Sequence, residues 1–77
     1  MSSYYCSRTL ALDFIYSKTG ESYEYKSNYE LDVILERVVN NTNYSFLIIS
    51  DDDIDYMPKS KTMIGEYSLN YICNEIL

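Results

Sequence analysis

The chain has no histidine and no tryptophan, and only two glycines, one proline and two cysteines in 77 residues. Without histidine, neither a Ser–His–Asp nor a Cys–His nucleophile system can be assembled, because the base that activates the nucleophile is missing. Glycine is confined to Gly20 and Gly65, so no glycine-rich loop is available to cradle a phosphate. Cysteine is confined to Cys6 and Cys73, which rules out a Cys-x-x-Cys metal pair. No apolar run approaches the ~20 residues that a bilayer-spanning helix requires. Positive charge is scarce as well: six basic residues, widely scattered, stand against twelve acidic ones, for a net charge of −6. Each phosphate contact needs a lysine or arginine, so direct binding of nucleic acid is disfavoured.

Length sets further bounds. Residues 1–77 have room for one domain, and a chain of this size buries only ~60–65% of the surface its unfolded form exposes. Hydrophobic residues make up 47%, too many for an intrinsically disordered chain. Residues 1–5 are polar and aromatic, with neither a basic region nor an apolar core, so no signal peptide is expected and the expected location is the cytoplasm. Thiols there are normally reduced, which favours free Cys6 and Cys73 over a disulfide joining the chain ends. No cofactor is implied.

The most informative stretch is residues 27–55. Ser27 followed by Glu30 has the spacing of a capping box, which predicts a helix beginning at Asn28. Leu31, Ile34, Leu35 and Val38 then recur at i, i+3, i+4 and i+7, one stripe at helical period, and Asn40 to Asn43 end the helix after about Val39. Residues 44–49 read Tyr, Ser, Phe, Leu, Ile, Ile, too short for a buried helix and rich in β-formers, so they predict a largely buried strand.

Residues 9–16 alternate, with Leu10, Leu12, Phe14 and Tyr16 on one side, which reads as a strand; residues 1–8 either extend it or fray. A polar turn at 17–21 and a second alternating run at 22–26 complete an expected β-hairpin. After the loop at 57–61, residues 63–67 fit a strand, and Leu69, Ile72, Cys73 and Ile76 fit a short helix starting at Ser68, although one continuous element also fits. The expected fold is therefore α+β, a mainly antiparallel sheet with a helix on one face. The other face would be covered by the C-terminal segment, a second copy or a partner, and the chain's ten tyrosines suit either a sheet face or an interface.

The predicted strand ends against Asp51, Asp52, Asp53 and Asp55. Asp51, Asp53 and Asp55 occupy positions one, three and five of a calcium loop, but Tyr56 stands where the glycine is needed and Thr62 where the bidentate glutamate belongs, so this is not an EF-hand. On the helix, Asp32 and Glu36 form a like-charge pair at i and i+4, tolerated where solvent or a cationic partner reaches it, with Tyr29 and Val33 beside them. An exposed loop does not poise a carboxylate for acid–base catalysis, so no enzyme is expected. The expectation is a non-catalytic binding protein that presents Asp51, Asp52, Asp53, Asp55, Tyr56, Asp32, Glu36 and Tyr29 to the basic groove of a nucleic-acid-handling protein and blocks it by charge mimicry. Phages and plasmids make small acidic proteins of this kind, acting in the host cytoplasm against CRISPR nucleases and restriction enzymes; the analogy is one of size and charge. The alternative is a structural or adaptor protein, homodimeric through a tyrosine-rich sheet face.

Overall fold

Ser7 is where the first strand gives way to the first helix. The computed structural model describes residues 2–74, and within them the order is β1 (Ser2–Ser7), α1 (Arg8–Thr19), α2 (Asn28–Val39), β2 (Tyr44–Ile49) and α3 (Glu66–Asn74), with single 3-10 turns at Ile54–Tyr56 and Lys59–Lys61. The α+β class is as expected. The hairpin is not: residues 9–16 lie inside α1, and residues 22–26 form an irregular connection closed by the Lys26 N–H donating to the Tyr23 carbonyl.

The reason is visible in α1 itself. Ser7 takes an extended backbone and its hydroxyl accepts the Leu10 N–H at 3.2 Å, which is the N-cap geometry. Ala11, Phe14 and Ile15, at i, i+3 and i+4, are all fully buried, while Tyr16 is exposed. Gly20 then ends the helix in the left-handed region at φ 77°, where a side chain would be strained, and returns its N–H to the Tyr16 carbonyl. The alternation of Leu10, Leu12, Phe14 and Tyr16 thus coincides with a helical stripe that decides the outcome.

The expected helix at residues 28–39 is present with those bounds. Its capping box is closed reciprocally, Glu30 N–H to Ser27 Oγ at 3.2 Å and Ser27 N–H to Glu30 Oε1 at 3.1 Å, and Asn40 ends it in the left-handed region. β2 likewise has the expected bounds, but it pairs with β1 in parallel, Ser2 opposite Tyr44 through Ser7 opposite Ile49. That corrects the antiparallel expectation. Parallel strands require a crossover, and here α1 and α2 together provide it. Thr62 adds a parallel bridge beside Tyr5, with the Met63 N–H donating to the Tyr5 carbonyl at 2.8 Å. No longer strand forms at residues 63–67; α3 begins at Glu66, two residues before the expected Ser68. Ile76 lies outside the described residues.

Successive strand side chains point to opposite faces. Cys6, Phe46 and Ile48 turn to one face and are buried with Phe14, Ile15, Leu31, Leu35, Leu69 and Ile72, and Tyr4 and Tyr44 pack against the rim of that core. The opposite face carries Ser3, Tyr5, Ser7, Ser45, Leu47 and Ile49, none of them buried, with Leu47 51% exposed. The apolar run of β2 is therefore buried on one face only. The uncovered face is not tyrosine-rich either: Tyr5 is its one tyrosine, because Tyr4 and Tyr44 point inward and stack at 5.8 Å.

Candidate protein-binding surface

The four aspartates follow β2 directly, at the end of the sheet where β1 passes into α1. A turn folds the loop back, the Asp53 and Ile54 N–H groups both donating to the Ser50 carbonyl, and the Ser50 hydroxyl donates to Asp53 Oδ2 at 3.0 Å. Asp51 points to the neighbouring helix start. Its carboxylate accepts the Thr9 N–H at 3.1 Å and the Thr9 hydroxyl, and these two bonds hold it below the usual carboxylate range. Thr9 belongs to the first turn of α1, whose N–H groups have no partner within the helix, so Asp51 acts as a second, long-range cap beside Ser7. Asp52, Asp53, Asp55 and Tyr56 are exposed, Tyr56 at 83%.

The α2 flank is arranged differently. Glu36 Oε2 accepts the Phe46 N–H at 3.2 Å, closing a backbone donor on the outer edge of β2. An open strand edge is a template for unwanted pairing, and a carboxylate against it is one way of blocking that. Asp32 is half-buried, and burial first, then the Glu36 charge, raises its pKa. Tyr29 and Val33 are exposed beside them. No hydrogen bond or ion pair among the described residues joins this flank to the aspartate loop.

Charge is little compensated across the surface. Among the described residues one ion pair forms, Lys26 Nζ to Glu30 Oε2 at 3.6 Å. Asp13, Glu21, Glu24, Asp52, Asp53, Asp55 and Glu66 are exposed and form no ion pair among the described residues. Among the described residues no group of three or more Cys, Asp or Glu side chains converges as on a metal ion.

Two features have no counterpart in the sequence reading. Arg8 reaches across the crossover: Nη1 donates to Asn28 Oδ1 at 2.7 Å, and Nη2 to the carbonyls of Glu24 at 2.8 Å and Lys26 at 2.7 Å. The guanidinium fork thereby pins the irregular connection to the start of α2. The second is a groove of about 380 Å³ between the sheet rim and α3, with Tyr4 and Tyr44 on one wall and Tyr67 and Tyr71 on the other. The i, i+4 spacing of Tyr67 and Tyr71 could have placed them on one helical face, but not which wall they meet.

No protein-family model, curated protein or solved structure matches the chain. No helix among the described residues is long and apolar enough to cross a membrane.

Proposed function

We propose that the protein is a non-catalytic, acidic binding protein that occupies a basic groove of a nucleic-acid-handling protein, in the manner of a nucleic-acid mimic made against a host defence enzyme. The observation that carries this reading is the surplus of uncompensated exposed carboxylates on a chain of net charge −6, with one ion pair among the described residues. A partner's lysines and arginines would replace the missing counter-charges, and close pairs across an interface couple by ~1.5–7 kcal/mol. The Asp51–Thr9 bonds support it further, since a loop already anchored to α1 loses little conformational freedom on binding.

The test is capture from a bacterial lysate at low and high salt, with a DNA duplex added as competitor. The expected catch is nucleic-acid-handling proteins released by salt and by the duplex, because contacts between exposed charges are screened beyond a Debye length of ~8–10 Å. Replacing Asp52, Asp53 and Asp55 together with asparagine should weaken the captured complex at least about tenfold. A complex indifferent to both salt and the triple substitution overturns the reading.

A second reading, an adaptor assembling as a homodimer, is favoured by the open sheet face. Parallel sheets are almost always covered on both faces, and Ser3, Tyr5, Ser45, Leu47 and Ile49 carry no charge that would repel a second copy. Sedimentation at tens of micromolar, an order-of-magnitude working range for weak dimers, separates the two.

A further inference from the structure

A cavity of about 220 Å³ lies where β1 passes into α1, between that junction and the segment that follows the aspartate loop. Its body is aliphatic, lined by Leu10, Ile54, Met57, Met63 and Ile64. A cavity of ~150 Å³ accepts a benzene ring, so this one has room for a molecule of roughly nine non-hydrogen atoms. Its walls are tied together by the fold itself. The Met63 N–H donates to the Tyr5 carbonyl at 2.8 Å, the Met57 N–H to the Ile54 carbonyl at 3.1 Å and the Thr62 hydroxyl to the Pro58 carbonyl at 2.7 Å. Asp51, through Thr9, anchors the start of the same loop to α1. A site formed in advance loses little conformational freedom when it is filled.

Two opposite charges share this lining without pairing. Asp55 and Lys59 both line the cavity, yet the one ion pair among the described residues lies elsewhere, between Lys26 and Glu30. On a helix their i, i+4 spacing would bring them together, but Met57 is extended, at φ −86° and ψ 153°, and Pro58 follows it, so the chain between them is not helical. The two hydroxyls of the lining differ as well. Thr62 donates its proton to Pro58, whereas Ser7 Oγ accepts the Leu10 N–H and its own proton has no acceptor among the described residues. This lining selects by charge. A cation is drawn by Asp55 and opposed by Lys59, an anion meets the reverse, and a neutral molecule gains from neither. A molecule that carries both signs is attracted by both.

We propose that this cavity binds a small zwitterion with an aliphatic body, a free α-amino acid of the size of leucine. Its ammonium meets Asp55, its carboxylate meets Lys59 and the Ser7 hydroxyl, and its side chain packs among Leu10, Met57 and Met63. Methionine is unbranched and polarizable, so Met57 and Met63 can fit leucine, isoleucine or methionine alike. The inference goes beyond the reading of the protein as a binder of basic surfaces and does not rest on it, because the site uses one charge of each sign.

The test follows the methyl signals of Met57 and Met63 by NMR in the full chain, at physiological ionic strength, during titration with four compounds. L-leucine carries every feature, N-acetyl-leucine lacks the ammonium, leucinamide lacks the carboxylate and glycine lacks the side chain. Leucine should move both methyl signals to saturation. N-acetyl-leucine and leucinamide should each bind at least about threefold more weakly, the scale of one solvent-exposed ion pair, and glycine at least about tenfold more weakly for want of buried methylenes. Asp55→Asn should erase the preference for leucine over N-acetyl-leucine and keep that over leucinamide, and Lys59→Gln should do the converse. Both side chains are exposed, so these variants leave the core intact. No saturable movement at Met57 and Met63 by ~50 mM leucine, weaker than a ligand of this size warrants, overturns the site. Equal binding of leucine and either charge-deleted analogue overturns the zwitterion, and tighter binding of leucinamide than of leucine would make the cavity a cation seat instead.

Discussion

The carboxylate of Asp51 receives both the backbone N–H and the hydroxyl of Thr9, 42 residues earlier in the chain. This joins the acidic loop after β2 to the first turn of α1 and divides the four aspartates by role. Asp51 holds the fold together, and Asp52, Asp53 and Asp55 present charge.

That division predicts different costs of substitution. Asp51→Ala should lower stability by ~0.5–1 kcal/mol, the lower part of the range for a lost helix cap because the carboxylate is solvent-exposed. In a domain of this size the loss corresponds to roughly 2–8 °C in Tm. The triple substitution of Asp52, Asp53 and Asp55 with asparagine should leave Tm unchanged or slightly raised, since it relieves repulsion without removing a cap. Calorimetry of the two variants checks this, and equal losses in both would show that Asp51 has no special role.

Arg8 should be intolerant even of lysine. Its fork donates to Asn28 and to the carbonyls of Glu24 and Lys26, and an ammonium cannot reproduce three bonds in that geometry. Arg8→Lys is expected to cost ~1.5–3 kcal/mol, the scale for a lost charge-assisted hydrogen bond. Amide hydrogen exchange should accelerate selectively at residues 21–27, ahead of any change in the sheet. Uniform acceleration across the chain would contradict the strap.

Acid should unfold the protein through carboxylates whose native pKa is lowered. Asp51 is held down by Thr9, and Glu30 by the Ser27 N–H and hydroxyl. Such groups stabilise the native state fully above their unfolded values of ~3.9 and ~4.3, and the stabilisation is lost as pH falls through the lower folded values. Asp32 works the other way: burial and the Glu36 charge raise its pKa, so its ionised form opposes folding, and protonation on acidification removes that cost. Tm should therefore hold from neutral pH to about 5 and drop below about 4. The Tm deficit of Asp51→Ala relative to the parent should shrink over the same fall, because the parent's carboxylate is then protonated. A deficit constant from pH 7 to pH 3 would exclude this linkage.

Both cysteines are free thiols, and both should be slow to react. Burial pushes the Cys6 pKa up to about 12, and Cys73, half-buried, is also raised, with Lys18 opposing the shift. The thiolate is the reactive form, so an aromatic disulfide reagent at pH 8 should titrate no more than one thiol in the native protein, the less buried Cys73, and both in denaturant. Rapid modification of Cys6 under native conditions would mean that β1 opens readily.

The sequence alone determined whatever is written within about one helical turn or one short run. Ser27 and Glu30 specified the start of α2, Leu31 and Leu35 the centre of its buried face, with Ile34 and Val38 only partly buried beside it and Val39 buried in addition, and residues 44–49 the bounds of β2, because capping bonds and side-chain periodicity act between near neighbours. The excess of acid over base was equally legible. Tertiary structure alone decided between the two periods that coexist in residues 9–16, because the helix buries Ala11, Phe14 and Ile15 against a sheet whose second strand begins more than twenty residues later. It also decided that the strands run parallel, that Glu36 closes the edge of β2, that Asp51 caps a distant helix, and that Tyr4 and Tyr44 face Tyr67 and Tyr71 across a groove. Each of these contacts joins groups far apart in the chain, and no local pattern carries their relative orientation, which exists only once the core has brought them together.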